Sequence, residues 1–430
     1  MKEKIPKTQR LHIGIFGRTN VGKSSLLNFI TQQEVSIISP QRGTTTDVVV
    51  KTMELLPLGP VVFFDTAGLD DITPLRDSRF GKTLRAFDNV EVCVLVMEPH
   101  LWSDYEDFVV REAKKRNIPL LVVVNKIDKW QLRAEVRRRL EKDNLSYLEF
   151  CALEADNRDK YIAAFKEKLR RVVPAEFFCE PSLAADLIPA ASLVVLVVPI
   201  DLQAPKGRLI LPQVRMIREI LDSDAACLVV KEREYPYFIK RIAQKPALVV
   251  CDSQIVLKMV ADTPPEIKCT TFSILFSRYK GDLTEACRAA AAVDCLAPED
   301  KVLILEACSH HPIEDDIGRV KIPRWLSMYK GFKVNFDTYS GWDFPSDLSS
   351  YKLIIHCGGC MLRRRQMLTR LNKAKAAGVA MTNYGVVISF LQGVWKRVLE
   401  PFPASFWALK EALKRNKEKR REDEDCAIKY

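Results

Sequence analysis

The sequence lacks the segments that would send a chain across or into a membrane. Its first ten residues, MKEKIPKTQR, contain neither the apolar core nor the small-residue cleavage site of a secretory leader. Its longest uncharged run, Ala376 to Trp395, is interrupted by Thr382, Asn383 and Gly385. We expect a short strand, a turn and an amphipathic helix in that run rather than a membrane span. The sequence therefore predicts a cytoplasmic protein with no membrane association.

Extreme composition is also absent. The 430 residues are 47% hydrophobic and 28% charged, which excludes a disordered, collagen-like or coiled-coil chain. This length exceeds a single core and predicts two or three domains. The net charge of +11 comes from basic residues interleaved with acids, which favours a solvated basic surface over a nucleic-acid partner.

Cysteine is more abundant than histidine, with 12 Cys against 5 His. In a cytosol these thiols are reduced, so no disulfide framework is expected. Cys93, Cys227 and Cys251 lie in apolar runs and are expected to fill the core.

An apolar run, LHIGIF at 11–16, leads into the pattern G-x-x-x-x-G-K-S at 17–24 and then into a helical pattern. In this context backbone N–H groups of the loop and the helix N-terminus surround phosphates. Lys23 would reach the β- and γ-phosphates, and Ser24 would bind Mg²⁺. The residues predicted to bind nucleotide here are Gly17, Asn20, Val21, Gly22, Lys23, Ser24 and Ser25.

Two further motifs narrow the nucleotide to GTP. VVFFDTAG ends a strand with Asp65, expected to hold Mg²⁺ through water, and with Gly68, expected at the γ-phosphate. IPLLVVVNKID ends another strand with Asn125, Lys126 and Asp128. The Asp128 carboxylate can accept two hydrogen bonds from guanine that adenine cannot supply.

A polar loop at 42–47, RGTTTD, lies between these motifs. The set resembles the translation-factor-class GTPases, and in particular the TrmE/Era subgroup, whose loop carries G-T-T-x-D. The resemblance implies that Thr45 binds Mg²⁺ and that Asn20 helps to bind K⁺. Leu69 replaces the water-positioning Gln of Ras-like enzymes, so slow hydrolysis is expected without dimerisation, K⁺ or a partner.

Two details of the nucleotide site stay open in the sequence. Cys151 and Ala152 follow the strand YLEF where a Ser-Ala base contact is usual, and we interpret them as that contact rather than as an ordinary core turn. The residue that orients the attacking water could be Asp70, Asp71, Asp77 or none of these.

Beyond the nucleotide-binding part, Pro174 and Pro181 mark a linker, and apolar strands then alternate with helical patterns in two further units. The fold class is therefore α/β: a P-loop GTPase domain followed by two smaller α/β domains. The expected divisions are a GTP-binding domain at 1–173, a unit at 174–265 that we interpret as a docking or dimerisation module, a further α/β unit at 266–410 and a charged tail at 411–430.

The last unit contains two clusters of cysteine and histidine. The strand KVLILE runs into Cys308, His310 and His311, and the strand YKLIIH runs into Cys357 and Cys360. These two turns hold three of the five His and three of the twelve Cys. Both turns follow the carboxyl ends of strands, where open α/β sheets bind ligands when a topological switch point lies there.

Three kinds of site fit these residues. Cys308, Cys357, Cys360 and His310 could close a structural zinc site. Cys357 and Cys360 alone could form a thioredoxin-like dithiol, which would leave Cys308 unused. Three cysteines could also hold an iron-sulfur cluster with one open iron. The residue types favour a metal and leave zinc and iron-sulfur as equal alternatives.

The combination of a TrmE-type GTPase domain, C-x-H, 46 residues and C-x-x-C resembles the HydF family of FeFe-hydrogenase maturation GTPases. The resemblance implies a homodimer, with a dimerisation domain at 174–265 and an iron-sulfur cluster-binding domain at 266–410. It also implies a 4Fe-4S cluster on Cys308, Cys357 and Cys360. It leaves His310, His311, Glu306 or an exogenous group as the fourth ligand. It also implies that the protein receives a transient diiron precursor from the radical-SAM maturases HydE and HydG and delivers it to apo FeFe-hydrogenase.

Two other functions compete with this one. The TrmE/Era-like motifs and the basic charge also suit an RNA-modifying or ribosome-associated GTPase with a structural zinc. Against this, the chain shows no KH-type G-x-x-G context and no aromatic-basic platform. A GTP-regulated adaptor without a metal would leave the two Cys/His clusters unexplained.

Overall fold

The computed structural model describes most of the chain, which divides into two compact units, Met1–Glu180 and Pro181–Tyr430. Several predicted site residues lie outside the described residues: Thr45, Gly68, Ala152, Cys308, His310 and His311. Asp65 is described by its backbone alone. The described residues are 10–31, 48–55, 58–66, 84, 86–151, 157–173, 181–199, 209–307, 316–341, 344–345 and 347–427.

The described residues of the first unit form a sheet of six strands. They are β1 Leu11–Phe16, β2 Val48–Leu55, β3 Gly59–Thr66, β4 Val92–Met97, β5 Leu120–Val124 and β6 Ser146–Glu149. Their order in the sheet is β2-β3-β1-β4-β5-β6. Strand β2 pairs antiparallel to β3, and the other pairs are parallel. The helices are Lys23–Thr31, Asp104–Lys115, Ala134–Lys142 and Arg158–Val172.

This sheet is buried on both faces, which explains why its central strands are continuous apolar runs. In β4, Val94 and Val96 belong to one core cluster, whereas Cys93 and Leu95 belong to the cluster on the other face. Because β3 and β4 flank β1, the chain order reverses between β1 and β4. Such a switch point is where an open α/β sheet binds its ligand.

The described residues of the second unit form two parallel four-stranded sheets. The strands are β7 Leu193–Val198, β8 Ala226–Lys231, β9 Leu248–Cys251, β10 Lys268–Thr271, β11 Lys301–Glu306, β12 Asn335–Ser340, β13 Leu353–His356 and β14 Ala380–Asn383. Their orders are β10-β9-β7-β8 and β12-β11-β13-β14. One apolar cluster includes Val195 and Val249 of the first sheet and Ile304 and Ile355 of the second, so the two sheets share a core.

Helices follow most of these strands, whereas none lies between β12 and β13 among the described residues. A π-helical turn, Ile317–Lys321, precedes the helix Ile322–Lys330. The other helices are Leu211–Asp222, Tyr235–Ile239, Val256–Asp262, Phe272–Lys280, Leu283–Ala290, Arg364–Ala376, Tyr384–Leu391, Trp395–Val398 and Pro403–Ala427.

The uncharged run near the C-terminus differs from the expected amphipathic helix. Strand β14 passes directly into the helix Tyr384–Leu391, and every residue from 384 to 390 is buried. The helix is apolar all round because helices Phe272–Lys280 and Ile322–Lys330 both pack against it. None of the helices within the described ranges combines the length and hydropathy that crossing a membrane requires.

Candidate functional site

The phosphate loop after β1 has a backbone that only certain residues adopt. Gly17 has φ of 151° and Gly22 has φ of 99°, and Asn20 lies in the left-handed region at 63°. A Cβ on Gly17 would lie 2.3 Å from the carbonyl oxygen of Val96 in β4. Side chains are therefore excluded at both glycines, and asparagine tolerates the left-handed position.

Lys23 begins the helix Lys23–Thr31, and its ammonium lies inside the loop. It is 7% exposed and donates to the carbonyl oxygens of Gly17 and Arg18, both at 2.7 Å. Ser24 and Ser25 are exposed in the first turn of this helix. The loop thus combines a helix N-terminus with a lysine charge, which is the arrangement that binds phosphate.

The start of helix Asp104–Lys115 supports this loop through contacts that the motif does not contain. The hydroxyl of Tyr105 accepts a hydrogen bond from the Gly17 amide at 3.2 Å. Arg18 pairs with the fully buried carboxylate of Glu106 at 2.9 Å, and Glu106 also accepts from the Ser103 amide at 2.8 Å. Ser103 and Glu106 form the capping box of this helix, and the same glutamate fixes Arg18 of the phosphate loop.

The NKID turn after β5 is joined to the same loop. Asn125 is 2% exposed and donates through Nδ2 to the carbonyl oxygen of Val21 at 2.9 Å. Lys126 has φ of 65° and pairs with Glu98 at 2.6 Å. Asp128 is exposed and accepts from the thiol of Cys151 at 3.4 Å. The predicted base-contacting residues are thus fixed relative to the phosphate loop, and Cys151 contacts Asp128.

In the second unit, the chain order reverses between β11 and β13, so both cysteine turns follow strands at a topological switch point. Leu305 of β11 is paired with His356 of β13, and the Cys357 amide donates to the Leu305 carbonyl at 2.9 Å. The sulfur of Cys357 accepts from the amides of Ala307 at 3.1 Å and Gly359 at 3.4 Å. Ala307 directly precedes Cys308 in the sequence.

His356 has both ring nitrogens engaged. Nδ1 lies 2.8 Å from the Cys357 carbonyl oxygen, and Nε2 lies 2.9 Å from Nη1 of Arg370. Burial, together with the Arg370 charge, lowers the pKa of His356 to about 3. The ring is therefore neutral, with the hydrogen on Nδ1, and it holds the turn rather than offering a metal ligand.

The other end of the turn is held by Lys280, a residue that is only 4% exposed. Its ammonium donates to the carbonyl oxygens of Gly359 at 2.8 Å and Cys360 at 2.9 Å, and also to that of Leu362. Burial raises the pKa of the Cys360 thiol, and the Lys280 charge opposes that rise.

Of the residues predicted as alternatives for the fourth cluster ligand, Glu306 lies among the described residues. Glu306 is 4% exposed and pairs with Arg319 at 3.4 Å, so its charge has a partner within the fold. Across the described ranges, no three His, Cys, Asp or Glu side chains form a metal-binding group. Of the three cysteines predicted to bind the cluster, Cys357 and Cys360 lie among the described residues. They fit an iron-sulfur site in their donor chemistry, because backbone N–H groups point at sulfur and a cation lies beside the turn.

Family models match the chain in three consecutive segments. A model described as 50S ribosome-binding GTPase matches residues 12–126. The hydrogen maturase F dimerization domain matches 183–281, and the hydrogen maturase F tetramerization domain matches 284–401. The chain belongs to the hydrogen maturase F family. Its architecture is the predicted one, a P-loop GTPase domain followed by the two oligomerisation domains of this family.

Curated relatives resemble a smaller part of this hydrogen maturase F chain. GTPase Era of Coxiella burnetii is 32% identical over 182 residues, covering 41% of this chain and 60% of the relative. GTPase Der of Wolinella succinogenes is 32% identical over 172 residues, covering 38% of this chain and 36% of the relative. The tRNA modification GTPase MnmE of Herminiimonas arsenicoxydans is 36% identical over 122 residues, covering 27% and 26%. The chain therefore spans 60% or less of the length of these relatives.

A solved structure of an Aquifex aeolicus Era variant bound to GDP·AlF4⁻ covers 54% of this chain and 98% of its own, at 19% identity and a TM-score of 0.31. This likeness is too low to assign the fold, which is assigned from the strand order of the chain itself and from the family models.

Sequence reasoning missed the residues that hold these turns. Tyr105 and Glu106 support the phosphate loop from a distant helix, and Lys280 and Arg370 hold the cysteine turn. Each is separated from the residue it contacts by 14 to 88 positions. For Lys280 one signal was available, because a lysine at the end of the largely apolar pattern FSILFSRYK requires a partner.

Proposed function

We propose that this protein is a GTP-hydrolysing scaffold or carrier for FeFe-hydrogenase maturation. In the nucleotide site, Lys23 neutralises the β- and γ-phosphates, while Ser24 and Thr45 bind Mg²⁺. Asp65 holds that ion through water, Gly68 contacts the γ-phosphate, and Asn20 contributes to a K⁺ site. Asn125, Lys126 and Asp128 contact guanine, with Cys151 and Ala152 completing the base site. The buried position of Lys23 within its loop supports the role of its ammonium at the phosphates.

In the second unit we propose a 4Fe-4S cluster on Cys308, Cys357 and Cys360, with His310 as the candidate fourth ligand. A bound cluster supplies an open iron to which a diiron precursor can attach. The contact between the Ala307 amide and the Cys357 sulfur carries this proposal, because it joins the described end of one cysteine turn to the other turn. Cys357 accepts its two backbone hydrogen bonds as a thiolate ligand does.

The diiron precursor is the cargo of the proposed carrier. We propose that HydE and HydG supply it, that apo FeFe-hydrogenase receives it, and that nucleotide hydrolysis changes partner binding rather than the metal chemistry. The family assignment to hydrogen maturase F supports this role. The matches to proteins named Era, Der and MnmE cover at most 41% of the chain, so they give no reason to assign RNA modification to the second unit.

We further propose a homodimer and keep the expected domain divisions at 173, 265 and 410 as part of this proposal; the match to the dimerization model runs past 265 to residue 281. Strand β8 is an edge strand whose Val229 is 40% exposed. Val214 and Leu221, on the helix Leu211–Asp222 in the same segment, are 49% and 54% exposed. These apolar side chains lie within the segment matched by the dimerization model and favour association of two copies.

One metal analysis tests the function most directly. Anaerobic protein reconstituted with iron and sulfide should hold about four irons per chain, the content of one cubane, and give a reduced-state EPR signal. Cys357→Ala should lose both. Cys295→Ala, which removes an exposed cysteine of the same unit, should keep both. Stoichiometric zinc with no iron would instead support a structural metal site.

A further inference from the structure

Lys280 is the last residue of a helix that connects the two sheets of the second unit. The helix Phe272–Lys280 begins where β10 ends, with the Thr271 hydroxyl capping the Ile274 amide at 3.2 Å. Six of its nine residues are buried. The backbone of Lys280 is therefore held by a helix that is capped at the end of β10 and largely buried.

The ammonium of Lys280 contacts three carbonyl oxygens of one turn. These belong to Gly359, Cys360 and Leu362, and they surround the second cysteine of C-x-x-C. A buried lysine is costly unless its charge is hydrogen-bonded, and buried carbonyl groups equally require donors. The three contacts satisfy the donors of the ammonium and fix the path of the turn at the same time.

Further contacts tie the same helix end to its surroundings. Arg364, just after the turn, donates to the carbonyl oxygen of Tyr279 at 2.7 Å. Arg278 forms a bidentate pair with Asp186 at 2.7 and 2.8 Å. Lys280 lies in the segment matched by the dimerization model, whereas the cysteine turn lies in the segment matched by the tetramerization model.

We propose that Lys280 is a positioning residue for the Cys357–Cys360 turn, and that it attaches this turn to the dimerization segment. The side chain acts through backbone carbonyl groups and does not bind the cluster. The consequence for cluster retention depends on the proposed function, but the consequence for the turn itself does not.

Amide hydrogen exchange of the metal-free full-length protein tests the attachment. The Leu362 amide donates to the Gly359 carbonyl at 2.9 Å, so it reports on the closed turn. In Lys280→Met, which leaves three carbonyl groups without their cation, exchange at 359–362 should be at least about tenfold faster than in the wild type. Lys330→Met is the matched control, since Lys330 donates to the Asp294 carbonyl away from the turn. Equal exchange in the two variants would overturn the proposal.

A conservative variant separates positioning from general stability. Lys280→Arg retains a cation and should recover part of the slow exchange at 359–362, whereas Lys280→Met should not. In protein loaded with iron and sulfide, release of iron to a chelator should be fastest in Lys280→Met and intermediate in Lys280→Arg. Failure of the wild type to load iron would contradict the proposed cluster and leave the exchange result standing. Identical exchange at 359–362 in Lys280→Arg and Lys280→Met would contradict the positioning role and would not bear on the proposed cluster.

Chemical modification of the wild type tests the same arrangement without any variant. An amine-acylating reagent followed by mass spectrometry should label Lys280 at least about tenfold more slowly than the exposed Lys268, because the buried ammonium is held by three acceptors. Labelling of both lysines at the same rate in the folded protein would exclude the proposed attachment.

Discussion

The phosphate loop and the cysteine turn occupy equivalent places in their sheets, but they are assembled differently. Each follows a strand at a topological switch point. The phosphate loop obtains its backbone path from residues within eight positions, Gly17 to Ser24, and distant contacts from Tyr105, Glu106 and Asn125 support it. The cysteine turn is held by Lys280 and Arg370, which come from helices on either side of it in the sequence.

The two sites therefore differ in how much of their backbone conformation depends on residues within the motif. The positive φ values of the phosphate loop suit the residue types at those positions, so its backbone path can be read from the motif, although distant residues also support it. In the cysteine turn, Gly359 has φ of 63°, but the buried carbonyl groups around Cys360 depend on a cation from elsewhere. We expect the two sites to respond independently to substitution.

Lys23→Ala should have the largest effect. Loss of the ammonium inside the loop should lower GTP turnover by about 10²- to 10³-fold, because it removes charge stabilisation from the phosphates. Phosphate release measures this, and iron content after reconstitution should be unchanged. Lys114→Ala, on an exposed helix surface, is the control. If iron were lost together with turnover in Lys23→Ala, the two sites would not be independent.

Asp128→Asn should weaken GTP binding by about 10- to 100-fold, because two charge-assisted hydrogen bonds to guanine are replaced. Xanthosine triphosphate should gain affinity, since its ring carries an acceptor where guanine has an amine. Competition binding with GTP and xanthosine triphosphate measures the change in relative affinity for the two nucleotides. Unchanged selectivity would show that the base does not contact this carboxylate.

Replacing K⁺ by Na⁺ should lower turnover on the order of tenfold if Asn20 contributes to a cation site beside the phosphates. Asn20→Gly retains the left-handed backbone and removes only the side chain, so it should abolish the difference between the two salts. Equal wild-type rates in K⁺ and Na⁺ would rule out this role.

The Cys151 variants should show the smallest effect. Cys151→Ala removes one weak hydrogen bond to Asp128 and should weaken GTP binding about threefold, whereas Cys151→Ser should stay close to the wild type. Fluorescence titration with GTP measures the affinity of the two variants. A loss from Cys151→Ala as large as that from Asp128→Asn would mean that the thiol has a further role in the base site.

The sequence predicted the element types, and the position of both sites after the carboxyl ends of strands, better than it predicted burial. The switch points themselves came from the strand order. Apolar runs and Gly/Asn-containing turns indicated the strands and the phosphate loop, because these signals act over a few residues. The helix Tyr384–Leu391 was expected to be amphipathic, yet it is buried on all sides. Its surroundings come from helices that are distant in the sequence, and no local pattern reveals them.

By itself, the sequence determined the nucleotide specificity motifs and the spacing of the two cysteine turns, because both depend on residue types at short separations. Only the tertiary structure decided that His356 is neutral and engaged at both nitrogens, that Glu306 pairs with Arg319, and that Lys280 closes the turn. The physical reason is that a buried charge or ring must be satisfied by partners, and the strand order selects those partners from remote parts of the chain.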